Sequence, residues 1–157
     1  MRSWDDYKKT MVKLDNIWNA TKEGDLARVA DFLARGEDIN IKDARGYSPL
    51  MLAAYAGSLD SVQFLLERGA DANSTDGGGN SILMGSAFKG HLEIIQALLD
   101  AGVRVADRNS SGMDAYDFAV TFGRTDAAEL LLEKGARARK SSRVVNFTKM
   151  FMQKIGN

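Results

Sequence analysis

The sequence predicts an all-α solenoid, a stack of helix–turn–helix repeats of 33 residues, and three observations carry that prediction. The first is a lattice of glycine. Gly24, Gly57, Gly90, Gly123 and Gly156 fall on one row at this spacing, Gly36, Gly69, Gly102 and Gly135 on a second, and Gly46, Gly79 and Gly112 on a third. Twelve of the fifteen glycines sit on these rows without an insertion or deletion. A sustained period of this length marks a stack in which each unit buries its apolar face on its neighbours. The second observation is a column of helix-starting residues, Asp15, Ser48, Ser81 and Asp114, each just before an apolar stretch. Their side chains can accept a hydrogen bond from a free amide of the first helical turn. The third is an apolar stripe at spacings of three and four residues in the second half of every period, the signature of a helix with one buried face.

The first helix of a repeat is clearest after Ser48. Pro49, the only proline, suits the first helical position. The helix runs through Leu50-Met51-Leu52-Ala53-Ala54-Tyr55-Ala56 and stops at Gly57, since glycine takes the left-handed conformation that closes a helix. Ala20, Ala53, Ser86 and Ala119 share one register, as close packing of helix backbones requires. The second helix opens at Leu26, Leu59, Leu92 and Thr125. It continues through Val29, Val62, Ile95 and Ala128 to the pairs Phe32-Leu33, Leu65-Leu66, Leu98-Leu99 and Leu131-Leu132. Each fully buried side chain of this kind contributes about 1.5–3 kcal/mol before entropy is subtracted. One repeat has only a handful, so none folds alone. The loops 38–46, 71–79 and 104–112, polar and glycine-rich at the tip, read as hairpin-like projections.

The period sets repeats at 13–45, 46–78, 79–111 and 112–144 within a single domain over 1–157. Terminal units of a stack must show water a polar face. Trp4, Tyr7, Met11 and Leu14 lie at helical spacings, so an added N-terminal helix is expected over 3–13. Phe147, Met150, Phe151 and Ile155 occupy the register of a further first helix, and 145–157 is expected to form a C-terminal capping half-repeat.

Three motifs bring a family into view. Ser48-Pro49-Leu50-Met51-Leu52-Ala53-Ala54 resembles the Thr-Pro-Leu-His-x-Ala-Ala signature of ankyrin repeats. Gly69-Ala70-Asp71-Ala72-Asn73 resembles the family's Gly-Ala-Asp-x-Asn close, and Gly90-His91-Leu92-Glu93-Ile94-Ile95 its Gly-His-Leu-Glu-x-Val helix start. The likeness covers roughly 13–144. Two departures stand out: Trp18, Met51, Met84 and Asp117 replace the signature histidine, and Asp114-Ala115-Tyr116 stands in place of Thr-Pro-Leu. The resemblance implies a protein-binding module whose concave face and loop tips meet the partner. Carried onto this chain, the contact positions are Arg45 where the first repeat meets the second, Tyr47 and Tyr55 in the second, Asn80, Phe88 and Lys89 in the third, and Met113 and Phe122 in the fourth. Aromatic residues and arginine are the usual anchors of protein interfaces. A partner protein is therefore expected, bound either as by an adaptor or as by an inhibitor or immunity-type protein that caps an enzyme. The chain itself is expected to be a monomer.

Catalytic parts are scarce. His91 is the single histidine, and a lone imidazole offers neither a triad nor a metal cluster. There is no cysteine, which removes disulfides, thiolate chemistry and zinc held by cysteine. Gly77-Gly78-Gly79 is not followed by Gly-Lys-Ser/Thr, and Lys140-Ser141 lacks the preceding glycine, so neither is a P-loop. The expectation is a protein without enzymatic activity, cofactor or metal.

Charge is balanced at 21 basic and 21 acidic residues, which excludes a global drive toward nucleic acid or membrane. Locally the balance fails: Lys134, Arg137, Arg139, Lys140, Arg143, Lys149 and Lys154 follow one another without an acidic residue between them. This run reads as the solvated face of a capping helix. Its alternative reading is a segment that docks on nucleic acid or an anionic membrane, weakened by the lack of interleaved stacking aromatics. The N-terminus has no apolar stretch of the secretory kind. A cytoplasmic chain is the default expectation, and a periplasmic or secreted one if an export signal has been removed.

Overall fold

The computed structural model describes residues 15–136. Among these the chain is all-α, with helices α1 (Ile17–Glu23), α2 (Leu26–Ala34), α3 (Pro49–Ala56), α4 (Leu59–Glu67), α5 (Ile82–Lys89), α6 (Leu92–Asp100), α7 (Ala115–Thr121) and α8 (Thr125–Glu133). An isolated β-bridge joins Thr75 and Ser81. The expected helix over 3–13, the half-repeat over 145–157 and the basic run from Arg137 onward lie outside the described residues. None of the described helices is long and apolar enough to cross a membrane.

Two layers result. Helices α1, α3, α5 and α7 pack one on the next, and α4, α6 and α8 do the same behind them. Between the layers lie the stripe residues Val29, Val62, Ile95, Leu65, Leu98 and Leu131, all buried. In each terminal pair the first member takes the core position, while Leu33, Leu66 and Leu99 are half-buried and Leu132 is exposed. Ala20, Ala53, Ser86 and Ala119 are wholly buried where the inner helices meet. Ser86 satisfies its hydroxyl there by donating to the Ile82 carbonyl at 3.0 Å.

The capping column holds at Ser48, Ser81 and Asp114, whose side chains accept from the amides of Met51, Met84 and Asp117. At the first helix it shifts by one residue. Asn16, not Asp15, is the N-cap and accepts from the Asn19 amide at 2.9 Å. Asp15 instead binds Arg28 at 2.8 Å, beside Glu23 on the same guanidinium at 2.6 Å. The hydrogen bonds from Glu23 and then Asp15 hold the Arg28 guanidinium above its ordinary pKa. A charge-assisted bond of this kind is stronger than a neutral cap, and Asn16 caps equally well.

Successive units lock together at two places. Gly57 closes α3 at φ 81°, and a Cβ there would lie 3.0 Å from the His91 imidazole of the following repeat. Histidine at this register is thus a packing residue. At the loop tips, Asp43 Oδ1 accepts from the amides of Arg45 and Tyr47, and the Gly46 amide donates to the Asp43 carbonyl at 2.9 Å. Asp76 and Asn109 organise the next two loops in the same way. The tips stack: the Gly77 amide donates to the Arg45 carbonyl at 3.0 Å, and the Ser110 amide to the Gly78 carbonyl at 3.3 Å.

Candidate functional site

The inner helices and the loop bases enclose a shallow groove of about 220 Å³, lined chiefly by Tyr47, Leu52, Tyr55, Gly85, Phe88, Phe118 and Phe122. Its rings form a chain across three units. Tyr55 stacks on Phe88 at 6.2 Å between centroids, Phe88 meets Phe122 edge-on at 4.5 Å, and Phe122 stacks on Phe118 at 6.1 Å. Offset and edge-on geometries are those that aromatic quadrupoles favour. Tyr55 and Phe122 nevertheless stay 47% and 46% exposed. Rings in mutual contact yet half open to water form a contiguous apolar patch, which on a soluble protein marks a contact surface.

The floor of the groove is set by one row of the 33-residue register. Leu52 in α3, Gly85 in α5 and Phe118 in α7 are equivalent positions. Large side chains at the two ends and none in the middle leave a notch over Gly85.

Cations stand at the rim. The Lys89 ammonium lies 4.5 Å from the Tyr55 centroid and 5.7 Å from that of Phe88. The Arg45 guanidinium lies 4.7 Å from the centroid of Tyr47, with Asp43 Oδ2 at 3.7 Å. Cation–π contacts hold both charges over apolar surface.

Of the eight positions expected to meet a partner, Tyr47, Tyr55, Asn80, Phe88 and Phe122 line the groove together, and Arg45 and Lys89 stand on the Tyr47 and Tyr55 rings. Two of the eight have other work. Asn80 lines the groove but its side chain donates to Asp76 Oδ2 at 3.0 Å and accepts from Asn109 Nδ2 at 2.7 Å, tying two loops. Met113 is half-buried at a loop base and is not among the lining residues; its amide donates to Asn109 Oδ1 at 3.0 Å. Leu52, Gly85 and Phe118 belong to the groove and escaped sequence reasoning. The signal was present: Gly85 is a glycine off the lattice and away from any loop tip.

Elsewhere, the signature-histidine register holds three different solutions. Trp18 donates its indole N–H to the Tyr47 carbonyl at 3.2 Å, and the Met84 sulfur accepts from the Ser81 amide at 3.3 Å. Asp117 accepts from the Asp114 amide at 3.2 Å. Both Asp114 and Asp117 are buried, and Arg108 stands 3.2 Å from Asp114 Oδ2 and 4.0 Å from Asp117 Oδ2. Every buried side-chain nitrogen and oxygen among the described residues has a partner, so the carboxylate pair serves the cap of α7. Among the described residues no cluster of three or more His, Cys, Asp or Glu could hold a metal.

No curated protein matches this chain in sequence. The family model for ankyrin repeats (3 copies) matches it twice, over residues 17–109 and 59–142. These spans take in every described helix, and with the paired helices, stacked loop tips and glycine-closed inner layer they make the chain a member of the ankyrin repeat family.

Proposed function

We propose that the protein is a non-catalytic, cofactor-free interaction module that occupies a partner protein through the face of α3, α5 and α7 and the adjoining loop tips. Ankyrin repeats generally mediate protein–protein interaction and are typically non-enzymatic binding modules. The observation that carries the reading for this chain is the ring chain Tyr55–Phe88–Phe122–Phe118, drawn from three units and half exposed at Tyr55 and Phe122. Such rings are the residue types that dominate interface hot spots. Two roles fit this face: an adaptor, or an inhibitor of the immunity type whose loop tips cap a partner enzyme. Assaying the captured partner's activity separates them, since only the second role abolishes it. In either role the chain acts as a monomer.

The test is capture from native lysate at low and high salt by the wild type and by Tyr55→Ala/Phe88→Ala. The expected result is a protein retained by the wild type at both salts and lost by the variant. The variant should still melt cooperatively, destabilised by about 1–3 kcal/mol through the lost ring contacts. Equal retention by both proteins would exclude the groove. Retention of nucleic acid or anionic lipid alone, collapsing steeply with salt, would move the function to the basic run beyond Lys134.

A further inference from the structure

We propose that the notch over Gly85 is a socket for one bulky apolar side chain carried on an acidic segment of the partner protein, an inference that rests on the interaction-module reading. Glycine at this position is not required by the fold. Gly85 lies inside α5, and its φ is outside the left-handed region in which Gly46 and Gly57 are held. A Cβ added there would meet Tyr55 Cδ2 at 3.6 Å, an ordinary contact. Within a helix, glycine is worse than alanine by about 1 kcal/mol. What the residue supplies is space, between Leu52 and Phe118 and under the rings of Tyr55, Phe88 and Phe122.

The size of the groove, of which the notch is a part, selects its occupant. The groove measures about 220 Å³, below the roughly 300–1,000 Å³ of sites that enclose free small molecules. An open, apolar notch within a groove of this size suits a single leucine, methionine or aromatic side chain delivered by a larger body. Interface hot spots are anchors of this kind in desolvated pockets.

The charge of the rim selects the anchor's neighbours. Lys89 lies on the Tyr55 ring and pairs with no carboxylate among the described residues. The Arg45 guanidinium is held on Tyr47. Of the nearby carboxylates, Asp43 accepts from loop amides through Oδ1 and pairs with Arg45 through Oδ2 at 3.7 Å, while Asp76, which lines the groove, accepts from loop donors through both oxygens. A segment seated in the socket therefore passes Lys89, an exposed cation with no carboxylate partner among the described residues, and an acidic residue beside the anchor complements it. The chain's own C-terminal residues fit poorly. In sequence, Phe147 and Phe151 are flanked by Arg137, Arg139, Lys140, Arg143, Lys149 and Lys154 and by no acidic residue.

A random-peptide phage library panned on the full-length chain tests this. Expected is enrichment of peptides with one bulky apolar residue within a few positions of Asp or Glu. Gly85→Leu, which fills the notch without backbone strain, should weaken their binding by at least about tenfold. Lys89→Glu should shift the flanking preference from acidic to basic, and it keeps the test intact if Gly85→Leu alters the helix. Peptides that bind Gly85→Leu unchanged but fail on Tyr55→Ala/Phe88→Ala would overturn the socket and leave the module reading standing. Peptides insensitive to both changes would overturn both. An absence of enrichment would overturn the socket, as would a dimer of the chain that Gly85→Leu dissociates.

Discussion

Leu65 leads the apolar pair of α4 and has no exposed surface. Its truncation removes a branched side chain from a site walled by neighbouring units, so Leu65→Ala should destabilise the protein by about 2–5 kcal/mol. Chemical denaturation measures this as a lower midpoint at constant slope; a loss below about 0.5 kcal/mol would place the side chain at the surface. Residues of this sort were legible because their period reports burial directly. The spacing did not say which member of each pair faces inward, since neighbours on a helix lie about 100° apart and both sit near the stripe. Side-chain commitments were less legible still. Asn80 and Met113 occupy the anticipated register, but hydrogen bonds across loops claim the one and a loop base holds the other. Gly85 and Phe118 went unread for the opposite reason: a regular lattice draws the eye to what repeats, and the groove is made by what does not.

At the scale of the element, the loops show how a tip both turns and stacks. Gly46 adopts φ 82°, and a Cβ on it would lie 2.8 Å from the backbone nitrogen of Gly77 in the next tip. Left-handed strain and a backbone clash both act, so Gly46→Ala should cost about 1–3 kcal/mol. Gly79 has a similar φ of 76°, but its nearest neighbours stand at 3.4 Å. Thermal melts of Gly46→Ala and Gly79→Ala should therefore differ, with the first lower; equal melting temperatures would mean that stacking of the tips adds nothing to their turn geometry. Helix starts were readable to within a residue because capping chemistry is local. The exception is instructive. Arg28 draws Asp15 out of the cap column from thirteen residues away, a long-range effect that no local rule contains.

The molecule as a whole is a one-dimensional array, each unit held only by its neighbours. Such arrays open at their boundaries before they unfold completely. The ring chain crosses two of those boundaries, from Tyr55 to Phe88 and from Phe88 to Phe122. An occupant of the groove as proposed would act as a splint, because its site exists only where three units are in line. Thermodynamic linkage gives the size of the effect: a ligand at about 100 times its Kd adds about 2.7 kcal/mol against any opening that destroys its site. The amides of Gly77 and Ser110, which tie the loop tip before α3 to that before α5 and the tip before α5 to that before α7, report it by hydrogen exchange. Both should slow together when the groove is filled, and slowing of one alone would confine the occupant to a single boundary. Recognition and the straightness of the stack are then one equilibrium, and a partner that grips this face also sets how often the array comes apart.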